Sequence, residues 1–325
     1  MKVSFTGAPE HMYVALGYGN ASWHIFQSMK KLGLDPVVRD KSANIGISFC
    51  PPSEYSFGED QYKIGYTPWE STEFLPNWQE GLDLCDEVWT TSHWNKKIFE
   101  AKLDKEVFVY LHGIDKEFFP MKRKWDRSQP FTFLHIGEPF DRKDGQMVVN
   151  TFARLFGGDP RFRLIMKCTG FNSLQLKGMP PEMVFNNIKV VNSILSREEL
   201  VDLYASVQCF VYPSWGEGFG FNPLQALAMG IPTICTAEWA EYRNRITLPL
   251  DSEYTYSPWQ EVHPGIMCKP SADQLGEHMQ TVYENYDKYC DIAFKNAIQV
   301  HKEYDWNLVT KPAAGRLKKI QKSRF

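Results

Sequence analysis

Short apolar strand patterns alternate with helical patterns along most of the chain, and this alternation restricts the fold more than any other feature of the sequence. In the first half the predicted strands are Lys2–Thr6, Pro36–Val38, Asn44–Phe49, Lys63–Tyr66, Glu87–Thr91 and Val107–Tyr110. The predicted helices between them include Ala21–Leu32, Trp78–Leu84 and Asn95–Ala101. Strands that alternate with helices usually pair in parallel and carry helices on both faces. The sequence therefore predicts a doubly wound α/β fold.

The second half repeats this pattern after a charged break between Asp115 and Pro130. Its predicted strands are Phe131–Ile136, Arg163–Lys167, Ile188–Val191, Cys209–Tyr212 and Thr233–Cys235, and its predicted helices are Gly145–Phe156, Ser196–Ala205 and Asn222–Met229. A chain of 325 residues exceeds the size at which a single core usually stops growing. We expect two Rossmann-like domains, residues 1–120 and 130–302, that face a central cleft where the carboxyl ends of the strands bind ligands.

Composition narrows the classes of protein to which the chain can belong. A net charge of −3 and 43% hydrophobic residues are typical of a folded domain, not of a disordered chain. The seven cysteines contain no Cys-x-x-Cys pair, which favours free thiols in a reducing compartment over a zinc site or disulfides. The sequence lacks a signal-peptide pattern and a run of 18 apolar residues. We therefore expect a soluble cytoplasmic protein without a transmembrane segment.

A glycine-interleaved loop, Gly216–Gly220, follows the predicted strand Cys209–Tyr212 and leads into a helix whose expected N-cap is Asn222. Free amides and the positive end of the helix dipole favour anions at such a position. Glycines at 218 and 220 would let a ligand approach the backbone closely. The loop predicts a site for a phosphate or for sugar hydroxyls, and a plain glycine turn is the alternative.

The segment from Pro213 to Pro232 reads Pro-Ser-x-x-Glu-Gly-Phe-Gly-x-x-Pro-Leu-x-Ala-x-Ala-x-Gly-x-Pro. It resembles the donor-site signature of the family 4 retaining glycosyltransferases of the GT-B type. The resemblance implies a GT-B architecture. It also implies transfer of a hexosyl or pentosyl group, with retention of anomeric configuration, from a nucleotide-diphosphate sugar to an acceptor hydroxyl. It implies no metal and no other cofactor.

In that family two glutamates eight positions apart hold the donor, the first near the transferred sugar and the second on the ribose. Glu217 matches the first glutamate, whereas Gln225 replaces the second. An amide can still hydrogen-bond a ribose as donor and acceptor. The resemblance places Gly218, Phe219 and Gly220 beside Glu217 in the donor-binding loop.

A second match begins with the predicted strand that opens the second half. His135–Gly145 resembles the family's glycine followed by an Arg-Lys-Gly-like element, with Gly137 as the glycine. The resemblance assigns Arg142 and Lys143 to the donor diphosphate, and Glu138 stands where the family often has arginine. Cationic side chains can stabilise a departing diphosphate without a metal. A solvated basic turn is the alternative.

The first half carries weaker matches to the same family. Gly17 and Gly19 open a loop that resembles the family's first glycine-rich loop, although a surface turn would look the same. The segment Gly65–Glu70 resembles the acceptor side of one branch of the family. Trp69 and Glu70 are acceptor candidates, because an aromatic face stacks on a sugar ring and a carboxylate orients a hydroxyl. Packing of buried aromatic residues is the alternative.

The remaining expectations concern the edges of the cleft. Ile194 and the segment Cys168–Ser173 follow predicted strands on the side where the family binds the nucleotide base, and Ile194 is a candidate base contact. Residues 303–325 resemble the family's last helix, which crosses back onto the first domain, with Trp306 as a packing anchor. The basic run at 316–324 is either the solvated face of that helix or a contact for phosphates or a membrane surface.

Other functions stay open at this stage. The same fold could carry a nucleotide-sugar epimerase or phosphorylase, since a fold does not determine a reaction. Gln225 and Glu138 also allow a donor-binding or scaffold protein without turnover. The acceptor is open among a glycan, a lipid, a protein and a modified nucleic-acid base, and the basic tail together with many aromatic residues keeps DNA among them. The oligomeric state is not predicted.

Overall fold

The structure is a computed structural model that describes residues 1–6, 17–138, 142–168 and 186–325. The amino-terminal domain contains a six-stranded sheet whose neighbouring strands all pair in parallel, in the order β2-β1-β3-β4-β5-β6. The strands are β1 Lys2–Thr6, β2 Asp35–Val38, β3 Ile45–Phe49, β4 Tyr62–Tyr66, β5 Glu87–Thr90 and β6 Val107–Val109. The helices between them are α1 Gly17–Lys31, α2 Gln79–Asp83 and α3 His93–Glu100, with short 3-10 turns at Pro52–Glu54 and Pro76–Trp78.

The carboxyl-terminal domain contains a second parallel six-stranded sheet, in the order β12-β11-β10-β7-β8-β9. The strands are β7 Phe131–Ile136, β8 Phe162–Cys168, β9 Ile188–Asn192, β10 Cys209–Tyr212, β11 Thr233–Thr236 and β12 Leu248–Leu250. The helices of this domain are α4 Gly145–Phe156, α5 Arg197–Ala205, α6 Phe221–Ala228, α7 Ala272–Glu284 and α8 Tyr286–Glu303, and α9 Trp306–Arg324 follows them in the chain. These two sheets confirm the predicted pair of Rossmann-like domains.

Strands β3, β5 and β7 are buried along their whole length. Burial on both faces explains why β3 and β7 are mostly apolar, whereas β5 buries Glu87 and Thr90. The chain reverses its direction of strand addition between β7 and β10, which lie side by side in the second sheet. In doubly wound folds this reversal opens a crevice at the carboxyl ends of the two strands. A ligand site is therefore expected where β7 and β10 end.

An antiparallel hairpin of β13, Ser252–Tyr256, and β14, Ile266–Pro270, extends from the second domain. Its far end pairs with the first domain, where the Thr72 amide donates to the Ile266 carbonyl at 3.1 Å and the Glu73 amide donates to the Pro264 carbonyl at 3.3 Å. The Ile266 amide in turn donates to Thr72 Oγ1 at 2.8 Å. The hairpin thus joins the two domains directly, and the strand patterns of the sequence did not predict it.

Helix α9 returns to the first domain and packs against α1. Five buried residues at helical spacing form one core with β1, β3 and α1: Trp306, Val309, Ala313, Leu317 and Ile320. Beside this stripe, Arg316 Nε donates to Glu87 Oε2 at 3.1 Å. Glu87 is fully buried on β5 and also accepts a hydrogen bond from the Trp89 indole at 2.7 Å.

The basic run of α9 therefore divides between two faces of the helix. Arg316 points inward to Glu87, whereas Lys318, Lys319 and Lys322 are exposed. This exposed side fits a solvated face, although Arg316 does not belong to it. Among the helices of the described residues, none combines the length with the apolar composition that a bilayer-spanning segment requires.

Two details of the predicted helices need correction. Gly17 and Gly19 lie inside the first turn of α1, not in a loop before it, and Gly19 is buried there although glycine has a low helix propensity. Asn222 is not the N-cap of α6, because Gly220 occupies that position with a φ of 80°. The Asn222 side-chain amide instead donates to the Ile136 carbonyl at 3.2 Å, which ties α6 to the end of β7.

The buried ion pair makes α9 a structural requirement of the first domain. We expect Arg316→Ala to lower the free energy of unfolding by about 3 kcal/mol, because it leaves the buried Glu87 carboxylate without its opposite charge. Urea denaturation followed by tryptophan fluorescence measures the change. The control Lys318→Ala, on the exposed face of the same helix, should change the value by less than about 0.5 kcal/mol. Equal midpoints for the two variants would contradict this role of Arg316.

Candidate active site

Three residues that the sequence assigned to different parts of the site form one cluster. Arg142 Nη1 lies 3.2 Å from Glu217 Oε1, and Arg142 Nη2 lies 3.3 Å from Glu217 Oε2. Arg142 Nη2 also lies 3.1 Å from Glu70 Oε1. All three side chains are largely buried. The cluster thus joins a carboxylate of the first domain to an arginine and a carboxylate of the second.

The Glu217 carboxylate is held from a second side. The Tyr212 hydroxyl donates to Oε1 at 2.8 Å, and Ser214 Oγ donates to the same oxygen at 3.0 Å. Tyr212 is the last residue of β10, so this carboxylate lies at the predicted crevice. Hydrogen bonds to a carboxylate from a guanidinium and two hydroxyls hold its orientation strongly. No sequence pattern indicated that Tyr212 or Ser214 would hold the carboxylate, although Ser214 belongs to the signature itself.

The segment from Arg142 to Asp144 is bound to the donor loop through Trp215. The Trp215 amide donates to the Arg142 carbonyl at 2.8 Å, and its indole donates to Asp144 Oδ2 at 2.9 Å. Lys143 lies against Gly137 at the end of β7, where a Cβ atom on the glycine would come within 2.7 Å of Lys143 Cδ. Both cationic side chains therefore lie at the edge formed by β7 and β10. Residues 139–141 of this motif lie outside the described part of the chain.

Gly216 and Gly218 of the donor loop lie very close to the facing domain, and this close approach requires glycine at both positions. A Cβ atom on Gly216 would lie 2.1 Å from the Glu70 carbonyl oxygen, and one on Gly218 would lie 2.1 Å from Pro68 Cβ. Thr91 Oγ1 also donates to the Gly218 carbonyl at 2.6 Å. In this structure Gly216 and Gly218 admit the backbone of the facing domain, not a ligand.

Gly220 is required by the turn and by a close neighbour. Its φ of 80° is unfavourable for other residues, and a Cβ atom would lie 2.5 Å from the Tyr242 hydroxyl. That hydroxyl donates to the Gly220 carbonyl at 2.6 Å. The turn and the contact with Tyr242 thus require glycine at 220, and a donor contact at this residue stays a prediction.

Two further donor candidates lie inside the domain. Phe219 is buried in an aromatic cluster, with its ring centre 5.1 Å from that of His112 and 6.0 Å from that of Tyr242. Gln225 is buried on α6, and its Oε1 lies 3.3 Å from the Tyr204 hydroxyl, which also donates to the Asn222 carbonyl at 2.9 Å. The structure therefore gives Phe219 a packing role and engages the amide oxygen of Gln225 within the protein.

Trp69 is buried among other side chains, which fits the packing alternative, and its role toward an acceptor stays a prediction. Its ring lies 4.2 Å from the ring of Trp78, and its indole donates to the Glu73 carbonyl at 2.8 Å. Asn95 holds the backbone here, because its side chain accepts from the Trp69 amide at 2.8 Å and donates to the Trp69 carbonyl at 2.7 Å. This pair of hydrogen bonds directs the next residue, Glu70, toward Arg142.

The hairpin adds a residue to the cluster that the sequence did not indicate. His263 Nδ1 lies 3.9 Å from Glu70 Oε2, and its ring lies 5.6 Å from that of Trp69. No local pattern indicated His263, because it approaches Glu70 only through the pairing of the hairpin with Thr72 and Glu73.

Other predicted residues lie apart from this cluster. Gly17 and Gly19 belong to α1, and Ile194 follows β9 with 77% of its surface exposed. Cys168 ends β8, whereas residues 169–173 lie outside the described ranges. These positions leave the assignments of Ile194 and of the glycine pair as predictions.

Two histidines near the contact between the domains, His112 and His93, have packing and pairing partners. His112 stacks on Phe221 with ring centres 5.0 Å apart, and complete burial lowers the pKa of His112 to about 3. Its imidazole is therefore neutral near pH 7. His93 Nδ1 lies 2.8 Å from Glu241 Oε1, in a pair that links α3 to the second domain.

Comparison with known proteins connects this geometry to a family. Residues 130–253 match the family model described as glycosyl transferases group 1, and this segment contains Arg142, Lys143 and Glu217. The O-antigen chain mannosyltransferase B of Escherichia coli is 28% identical over 251 residues, which cover 71% of this chain and 60% of that protein. The chain spans 43% to 60% of the length of the curated relatives that it matches.

Solved structures agree with the domain architecture. Sucrose-phosphate synthase from Thermosynechococcus elongatus superposes with a TM-score of 0.70 at 14% identity and covers 99% of this chain and 100% of its own. Anabaena HepE, solved with UDP-glucose, superposes with a TM-score of 0.66 at 13% identity and covers 98% of this chain and 100% of its own. The chain therefore has the GT-B fold of two Rossmann-like domains, and its residues 130–253 match the glycosyl transferases group 1.

Proposed function

We propose that the protein is a glycosyltransferase that moves a hexosyl or pentosyl group from a nucleotide-diphosphate sugar to an acceptor hydroxyl, with retention of anomeric configuration. The observation that carries the proposal is the cluster of Arg142, Glu217 and Glu70 at the carboxyl ends of β7 and β10. The match of residues 130–253 to the glycosyl transferases group 1 supports it. The similarity to a mannosyltransferase and to a structure that holds UDP-glucose supports a nucleotide sugar as donor.

In this proposal Arg142 and Lys143 bind the donor diphosphate. A guanidinium forms parallel hydrogen bonds to phosphate oxygens as readily as to a carboxylate. When the diphosphate binds, Arg142 exchanges a carboxylate partner for phosphate oxygens. The Oε2 atom of Glu217, which Arg142 then releases, accepts a hydrogen bond from a hydroxyl of the transferred sugar, while Oε1 stays bonded to Tyr212 and Ser214. Charge from both cations stabilises the diphosphate as it leaves, so the reaction requires no metal.

The chemical step breaks the bond between the anomeric carbon and the phosphate oxygen. The acceptor oxygen forms its bond to the same face of that carbon, and the leaving phosphate takes the proton of the acceptor hydroxyl. Glu70 and Glu217 orient the two substrates from opposite domains, and the closed contact between the domains excludes water. The seven free cysteines, six of them buried, support the cytoplasm as the compartment.

One observation favours a second candidate, a protein that binds the donor without turnover. The Oε1 atom of Gln225 is engaged by Tyr204, at the position where the resemblance expects a carboxylate on the ribose. A measurement of nucleoside diphosphate release distinguishes the transferase from a protein that only binds the donor. Acceptor-dependent release from GDP-mannose or UDP-glucose supports transfer, whereas binding of these donors without release supports the second candidate.

Glu217→Gln tests the role of the cluster in turnover. We expect kcat to fall at least about tenfold, since a lost transition-state contact of about 1.4 kcal/mol gives that factor. Nucleoside diphosphate release from the donor is the measurement, and circular dichroism checks the fold. Glu253→Gln, an exposed glutamate on β13, is the matched control and should retain full activity. Unchanged kcat in Glu217→Gln would remove Glu217 from the site.

The diphosphate assignment is tested separately by binding. We expect Arg142→Ala combined with Lys143→Ala to raise the Kd for UDP and GDP at least about tenfold, which corresponds to about 1.4 kcal/mol. Isothermal titration calorimetry measures both ligands. Lys318→Ala combined with Lys319→Ala removes the same charge from the exposed face of α9 and should leave the Kd unchanged. Equal affinity in the two double variants would reject the assignment.

A further inference from the structure

A cavity lies between the domains, lined by residues of segments that neighbour the cluster of Arg142, Glu217 and Glu70. It has a volume of about 610 Å³. One wall is α3 with Thr72 and Glu73 of the first domain, and the other is the loop from Glu238 to Asn244 with Tyr254 of β13. We call it the α3 crevice, and none of the roles assigned above uses it.

Both walls of the α3 crevice are continuous with the cluster. The first wall begins at Thr72, two residues after Glu70. On the second wall, the Trp239 indole donates to the Ser214 carbonyl at 2.8 Å, and Ser214 in turn donates to Glu217. A molecule in the crevice therefore lies next to both segments that carry the carboxylates of the cluster.

The glutamate side chains that line the α3 crevice are equal in number to its lysine and arginine side chains. Its lining contains three carboxylates, Glu73, Glu238 and Glu241, and three cationic side chains, Lys97, Lys102 and Arg243. Lys102 Nζ lies 2.6 Å from Glu73 Oε2. A polynucleotide is held by surplus positive charge, and an acyl chain requires an apolar groove. The lining offers neither, which favours a neutral polar ligand.

Two aromatic side chains face this polar lining. Trp94 is half-buried on α3, and Tyr254 is 60% exposed while its hydroxyl donates to Glu238 Oε1 at 2.6 Å. Aromatic faces pack on the apolar face of a pyranose, and carboxylates accept hydrogen bonds from its hydroxyls. Aromatic rings interleaved with carboxylates and cations are therefore suited to a sugar chain.

We propose that the α3 crevice binds a neutral glycan as the acceptor, with Trp94 and Tyr254 against its sugar rings and Glu238 on its hydroxyls. The role as acceptor rests on the proposed glycosyltransferase function, whereas binding of the glycan rests on the crevice alone. The hydroxyl that reacts extends from the crevice toward Glu70. This narrows the open list of acceptors to a glycan.

The test compares two tyrosines of the same strand. Tyr254 lines the crevice, whereas Tyr256 is 79% exposed on β13 and is not among the lining residues. We expect one or more of the neutral trisaccharides maltotriose, mannotriose and chitotriose to bind the natural protein and Tyr256→Ala in saturation-transfer NMR. Tyr254→Ala should raise the Kd at least about tenfold, since the ring loses its stacking contact. Trp94→Phe, which keeps an aromatic core residue, should weaken binding in the same direction.

The proposal is overturned if no trisaccharide of the panel binds. It is also overturned if trisaccharide binding is unchanged in both Tyr254→Ala and Trp94→Phe. A third contrary result is that a short single-stranded DNA binds and that Tyr254→Ala abolishes this DNA binding. Titration of the same proteins with GDP-mannose and UDP-glucose distinguishes failure of the glycan-site proposal from failure of the proposed glycosyltransferase function. Trisaccharide binding without donor binding would reject the transferase and keep the glycan site. Donor binding and turnover without trisaccharide binding would keep the transferase and reject the glycan site.

Discussion

The close approach of two backbones, at Gly216 and Gly218 on one side and Pro68 to Glu70 on the other, is the constraint on which the candidate site depends. A side chain at either glycine would overlap the facing segment, so the domains could not meet at this distance. The contact brings Glu70 to Arg142, and Thr91 adds a hydrogen bond to the Gly218 carbonyl. The glycine spacing of the loop is thus a property of the interface between the domains as well as of a turn before a helix.

Arg142 links the two halves of this site electrostatically. It lies between two carboxylates, which together carry one negative charge more than the guanidinium balances. Such an arrangement holds the guanidinium in place before a ligand binds, so less side-chain entropy is lost when phosphate oxygens arrive. However, the two carboxylates compete with the ligand for Arg142, because an incoming diphosphate must replace Glu217 or Glu70. The hydroxyls of Tyr212 and Ser214 reduce that competition at Glu217, since they continue to satisfy its carboxylate.

Local patterns predicted most strands of the two sheets, because strands such as β3 and β7 are buried and therefore mostly apolar. The hairpin was missed for the opposite reason: β13 is mostly exposed and lacks the apolar alternation of a strand in a core. Signature residues predicted Arg142 and Glu217, but no spacing indicates that Glu70 lies beside residues more than 70 positions away. Trp69 and Phe219 lie against Trp78 and His112, and local sequence could not show this, because an aromatic residue next to a motif looks the same whether it stacks on a sugar or packs on another ring. The partner of such a ring depends on tertiary contacts, which local spacing in the sequence does not reveal.

The packing of α9 on the first domain has a consequence for synthesis of the protein. The core around β1 and α1 contains Trp306, Leu317 and Ile320, which are translated after the whole second domain. Domains generally fold in order as the chain emerges from the ribosome. Here the first domain to emerge cannot complete its core until the last helix is made. We therefore expect the second domain to reach its native state first, and the first domain to close only when α9 docks on α1.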